Sequence, residues 1–95
     1  MGSLRPAPGR VVNYVSHGTP PREDGSQAHP SKTRVAIITE VHGVVEPAAS
    51  DPDVQRWEVS LCVINPTGLF FDQHVVQDEN GRPGTWHWPV WVVAA

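Results

Sequence analysis

The chain has a single cysteine, Cys62, in its 95 residues. An internal disulfide is therefore excluded, and so is any Cys-x-x-Cys metal or redox motif. Basic charge is also scarce: Lys and Arg number 7 against 10 Asp and Glu, for a formal charge of −3. The few cations are scattered, whereas a module that binds DNA or RNA clusters them to neutralise several phosphates. A nucleic-acid polymer is thus not an expected partner. No apolar run approaches the length that spans a bilayer, so no membrane partner is expected. The opening MGSLRPAPGR lacks the apolar stretch of a secretory signal. Pro6 stands where an N-myristoylation motif would carry Ser or Thr. These absences lead to the expectation of a soluble, cytoplasmic protein. Helical periodicity, internal repeats and low-complexity tracts are missing as well.

What is present is punctuation and β-branched residues. Ten prolines, eight glycines and a 39% hydrophobic content describe short strands joined by loops around one small core. The length allows one domain, read as a flexible lead-in over 1–9 and a single domain over 10–95. RVVNYVS, at 10–16, alternates with Val12 and Tyr14 on one side, a first strand. A polar loop fills 17–33, long enough to suggest a functional role. RVAIITEVHG, at 34–43, has a continuous apolar centre, the pattern of a strand covered on both faces. RWEVSLCVI, at 56–64, places Trp57, Val59, Leu61 and Val63 in one row. NPTG, at 65–68, is a turn, with Pro66 at its first central position. LFFDQHVVQD, at 69–78, resumes as a strand. Asn80-Gly81 has the chemistry of a two-residue hairpin turn. TWHWPVWVV follows, with Pro89 marking an edge strand or its end. Five short strands with long early loops predict an all-β fold, a small, strongly bent SH3-like barrel, with a small β-sandwich as the alternative.

PGRVVNYVSHGTP, RVAIITEV, NPTGLFF and GRPGTWHWP together resemble a family of small proteins encoded by phages and prophages of actinobacterial type. The resemblance spans roughly residues 9–89 of the single domain, and GTWHWP is its most specific string. It implies a setting inside an infected or lysogenic host rather than a reaction. Family members often carry an acidic residue after that last proline, whereas this chain has Val90 and then Trp91.

The densest chemistry lies in GTWHWPVW, at 84–91, which holds three of the four tryptophans. In an extended strand Trp86 and Trp88 share a face opposite His87. They are read as closing the core, with at least one ring reachable from the rim for stacking on a ligand. Arg10 and Arg34 begin strands and, with Tyr14, Trp86, His87 and Trp88, compose a candidate site for a phosphorylated aromatic ligand. Trp91 and Val90 are candidates for an interface between copies. The histidines lack compact metal-binding spacing, so only a tertiary coincidence would join them, and no metal or cofactor is expected. Cys62 is read as an inert core cysteine. No Gly-x-Ser-x-Gly, His-Glu-x-x-His or phosphate loop occurs, and the chain is not expected to be an enzyme. Two functional expectations follow. One is a homo-oligomeric binder that sequesters a nucleotide-like small molecule or host immune signal. The other is an interaction module that docks a host or virion protein through its aromatic C-terminal face.

Overall fold

A computed structural model describes residues 5–18, 23–24, 30–45 and 56–89. Five strands are formed: β1 (Val11–Val15), β2 (Thr33–Val45), β3 (Arg56–Asn65), β4 (Gly68–Val76) and β5 (Trp86–His87). They make one antiparallel sheet in the order β4-β3-β2-β1-β5, and the described residues contain no helix. The all-β expectation holds. The barrel is not closed, however, and the described residues form no second sheet to make a sandwich. Its two outermost strands meet only where the chain leaves β4: Gln77 forms a single bridge to Trp86, and the Asp78 N–H donates to the Trp86 carbonyl at 2.8 Å.

The sheet is nonetheless strongly curled. Tyr14 on β1 and Asp72 on β4 lie three strands apart, which in a flat sheet is about 14 Å. Yet the Tyr14 hydroxyl donates to Asp72 Oδ2 at 2.8 Å. Bending is driven by burial on the concave face. Val12, Tyr14, Ala36, Ile38, Val59, Leu61, Val63, Val75 and Trp86 form the core there. Along β1 and β3 these are the alternating positions expected from the strand patterns, and burying the whole set is the main favourable term in folding. Bulges sharpen the curl. They interrupt β2 between Ile38 and Glu40 and between Val41 and Gly43, and β4 between Asp72 and Val75, opposite Ser60.

The Asn80-Gly81 pair does turn the chain, with Gly81 at a φ of 77°, but it joins no hairpin. β4 pairs with β3 and β5 pairs with β1, so residues 77–85 cross the open end instead. Asp78 organises that crossing. It accepts the Asn80 N–H at 2.9 Å and the Arg82 guanidinium. Burial alone would raise its pKa, but these donors outweigh burial and hold the carboxyl below its ordinary value. The long loop before β2 is tied at its mouth: the Ser16 N–H donates to the Lys32 carbonyl and the Lys32 N–H to Ser16 Oγ, each at 2.9 Å. The lead-in is attached through its described part, with Pro6 buried and the Gly9 N–H donating to the Ile38 carbonyl at 2.8 Å.

Candidate functional site

The register groups some of the expected ligand-binding residues. Trp86 is opposite Tyr14, and Tyr14 is opposite Arg34, so these three form one row on the concave face. Arg10 is not with them. It sits beside Ile38 at the other end of β1, about 13 Å along the strand from Tyr14, and is exposed.

The rings of that row are used for packing. Trp86 is fully buried, its indole N–H donates to the Trp57 carbonyl at 3.0 Å, and Trp88 meets it edge-on at 5.3 Å. Tyr14 is buried too, and burial together with the Asp72 carboxylate pushes its phenol well above the usual range. Trp88 is half-buried; Glu79 Oε2 accepts its backbone N–H at 3.2 Å and the Gln77 side-chain amide at 2.9 Å. His87 lies across from Asn13 on the convex face, with its Nε2 3.5 Å from Asn13 Nδ2. Its buried Nδ1 has no partner among the described residues. Val90 and Trp91 lie outside the described residues.

The exposed aromatic surface is elsewhere. Val11, Ile37, Cys62 and Phe71 are consecutive cross-strand neighbours through β1, β2, β3 and β4. Asn13, Val35, Ile64 and Leu69 form the next row. Both rows face away from the core. Val11, Val35, Ile64, Leu69 and Phe71 keep between 39% and 66% of their surface exposed, and Ile37 and Cys62 are half-buried. The apolar centre of β2 predicted cover on both sides; among the described residues only the concave side is covered. Cys62, expected in the core, instead lies half-buried in the middle of this surface as a free thiol, because its position on β3 alternates with the buried Leu61 and Val63. The alternation Val35-Ile37 and Cys62-Ile64 carried the signal for this face, but continuous apolar runs equally describe a buried strand.

A second cluster was not legible from spacing. Ser60 on β3 lies between the β2 bulge that carries His42 and the β4 bulge that carries His74. The two imidazoles stack with centroids 4.6 Å apart. His42 Nε2 is 2.8 Å from Ser60 Oγ, and its Nδ1 is 3.8 Å from Glu40. His74 Nδ1 is 3.4 Å from Glu58. His74 also holds a φ of 60°, unusual for a residue with a side chain. A hydroxyl, an imidazole and a carboxylate in that order is the sequence of a nucleophile, base and orienter. Here Ser60 is buried beneath the bulges, and its carbonyl accepts the Thr39 hydroxyl at 3.2 Å, so the group fastens the bulges to β3. Stacked rings present faces rather than lone pairs to each other, and no described group of three or more His, Cys, Asp and Glu could hold a metal.

No protein-family model, curated protein or solved structure matches the chain.

Proposed function

We propose that the chain is a non-enzymatic binding protein that docks a protein partner on the convex face of its sheet. One observation carries this reading: two apolar rows, exposed side by side across four strands. A sheet with one wet face ordinarily alternates apolar inward and polar outward. The five exposed side chains amount to a patch of roughly 400 Å², at the size where a surface patch on a small protein is commonly an interaction site. The docking surface thus differs from the one expected at the C-terminal tryptophans. The phage-type resemblance suggests a host or virion protein as the partner and the host cytoplasm as the place.

The reading is tested with the pair Val35→Lys and Ile64→Lys, which places two cations in the centre of the face. Wild type and variant are compared as bait in extracts of infected cells. The protein retained by wild type alone is then identified, purified and titrated against both. At least a hundredfold weaker binding by the variant is expected. Equal affinity for wild type and variant sinks the proposal.

Capture of a nucleotide-like ligand is the second reading. It is favoured by Arg34, half-buried beside Tyr14, and by the exposed Phe70 ring 6.5 Å from Tyr14 at the same end of the concave face. A phosphate on Arg34 with a base against Phe70 is the arrangement it requires. Native mass spectrometry of protein from infected cells, followed by denaturation, would detect such a ligand as a released small molecule. A mass equal to the bare chain counts against it.

A further inference from the structure

Among the described residues, the outer edge of β4 carries no partner strand. Leu69, Phe70 and Phe71 are consecutive and all exposed, on both faces of an outermost strand. Natural edges are blunted by charge, proline, bulges or cover, and a run of exposed apolar residues on one is unusual without a function. The bulge that begins after Asp72 protects only the second half of β4. Gly68–Asp72 pairs with β3 without a register shift and is apolar up to Asp72.

The hairpin fixes which backbone groups that edge presents. Asn65 and Gly68 close a two-residue turn and must therefore exchange both of their N–H···O bonds. Counting along the ladder, Phe70 and Asp72 also point their backbone groups at β3. Leu69 and Phe71 point theirs outward. Among the described residues, no strand pairs with that edge.

We propose that two copies of the chain pair antiparallel through Gly68–Asp72 about a two-fold axis at Phe70. This rests on the docking reading for its purpose, since it joins two convex faces into one surface. The register follows from these outward groups. Centring on Phe70 sets Leu69 opposite Phe71 of the second copy and Phe71 opposite its Leu69. Both are residues with outward N–H and C=O groups, so four intermolecular hydrogen bonds form. It is also the register that uses the whole regular segment of each copy and leaves both bulges outside. Charge does not oppose it. The only ionisable group in the segment, Asp72, meets Gly68 of the second copy, which leaves the two carboxylates about 14 Å apart along the strands. Leu69 and Phe71 of each copy continue the apolar rows of the other, and the two Phe70 side chains meet on the concave side. A heterologous peptide would satisfy the same N–H and C=O groups, but it would need matching apolar residues at every position. A second copy supplies them by symmetry.

The magnitude is modest. Complete cover of Leu69, Phe70 and Phe71 in both copies removes at most about 700 Å² of apolar surface, below the 1,200 Å² or more of stable complexes. A dimer that dissociates on dilution is therefore expected.

Sedimentation equilibrium across a wide concentration range tests this, with hydrogen exchange measured at both ends of the range. Wild type should move from 10.4 kDa to twice that mass. The Leu69 and Phe71 amides should exchange at least tenfold more slowly at the high end. Leu69→Pro removes one outward donor and adds no charge. It should stay at the mass of one chain with an unchanged circular dichroism spectrum, and Phe71→Lys, which leaves every backbone donor, should do the same. A wild type that keeps the single-chain mass throughout overturns the proposal. So does a dimer that persists in both variants, or one whose Leu69 and Phe71 amides remain unprotected. The Val35→Lys, Ile64→Lys variant separates this from the docking reading: it should still dimerise while losing the partner. Loss of dimer in the edge variants with the partner retained by the face variant would sink the docking reading alone.

Discussion

The two faces of this sheet have almost the same residue types and opposite fates. On the concave face, valines, isoleucine, leucine and one tryptophan are packed until nothing of Trp86, Val12 or Val59 reaches solvent. On the convex face, valines, isoleucines, a leucine and a phenylalanine occupy equivalent positions and stay open. The concave face gained cover because the curl brings β1 towards β4 and the crossing segment 77–85 lays Trp86 over the end. The convex face curves away from its own chain and has no such lid among the described residues. Hydrophobicity alone therefore does not make a core; curvature decides which apolar row finds a partner within the chain. The row left over is of the size at which an exposed patch on a small protein is commonly an interaction site, which is what the docking proposal rests on.

The comparison breaks most visibly if Trp86 is not the keystone of the concave side. Trp86→Ala removes the largest fully buried side chain, together with its bond to the Trp57 carbonyl. A loss of about 3–5 kcal/mol is expected, which in a domain this small approaches the whole stability. Phe71→Ala, the deletion of an equally aromatic ring from the convex side, should change stability by less than about 0.5 kcal/mol. Denaturant melts of the two variants at low protein concentration check the contrast, and similar losses would dissolve it.

Gly84 sharpens the same point at the lid. It holds a φ of 80°, and its N–H donates to the Val15 carbonyl at 2.6 Å. The His17 imidazole lies directly over its α-carbon, where a β-carbon would collide with the ring. Gly84→Ala combines backbone strain of about 1–3 kcal/mol with displacement of His17. A double variant with His17→Ala should recover the steric part and leave the backbone part. Full recovery would show that φ at this position is relaxed in the variant.

Tyr14 provides a test by pH. It is the only tyrosine in the chain, so phenolate absorbance near 295 nm reports on it alone. Burial and the Asp72 carboxylate raise its folded pKa. Its contribution is thus fully present below the unfolded value of about 10 and is lost as pH rises above it towards the raised folded value, by about a factor of ten in the folding equilibrium constant per pH unit. Phenolate absorbance should appear together with the loss of native tryptophan fluorescence, as one transition. Ionisation well before unfolding would mean that the hydroxyl is open to solvent and the concave face less closed than its packing indicates. Tyr14→Phe should abolish the absorbance change and cost about 1–2 kcal/mol through the lost bond to the carboxylate.

Much of this contrast was legible in the sequence, though not which side would be covered. The row Trp57, Val59, Leu61 and Val63 and the pair Val12 and Tyr14 announced the concave face by simple alternation, and Pro66 announced the turn after β3. The centre of β2 was misleading because Val35 and Ile37 are written like residues of a strand buried on both faces. Phase was lost wherever a bulge adds a residue. Leu69, Phe71 and Val75 share parity, yet Val75 is buried and the other two are exposed, since the β4 bulge shifts the pattern between them. The same two-against-one insertions bring His42 and His74 together over Ser60 from positions 32 residues apart, a contact that no local spacing encodes. Asn80-Gly81 had hairpin chemistry but was used in a crossing, because the strand after it pairs with β1. Among the expected site residues, Arg34, Tyr14 and Trp86 are cross-strand neighbours, whereas Arg10 is separated from them by the length of β1.

The smallest expected effect discriminates best between the two faces. Val35→Thr and Ile64→Thr place hydroxyls on the convex side with good strand propensity, the first with nearly the original shape and the second one methyl smaller. On the concave side such a change buries an unpaired hydroxyl and costs roughly 1–3 kcal/mol; Val63→Thr, one residue from Ile64 and almost fully buried, is the matched control. On the convex side the hydroxyls stay in water, and each melting curve should coincide with wild type within about 0.5 kcal/mol. If Val35→Thr instead costs as much as Val63→Thr in the isolated chain at low concentration, the convex face is already covered by a part of the chain itself. The patch would then be a second core rather than a docking surface. If stability is unchanged and partner affinity falls, the conserved fold and the lost binding assign the convex rows to recognition and the concave rows to folding.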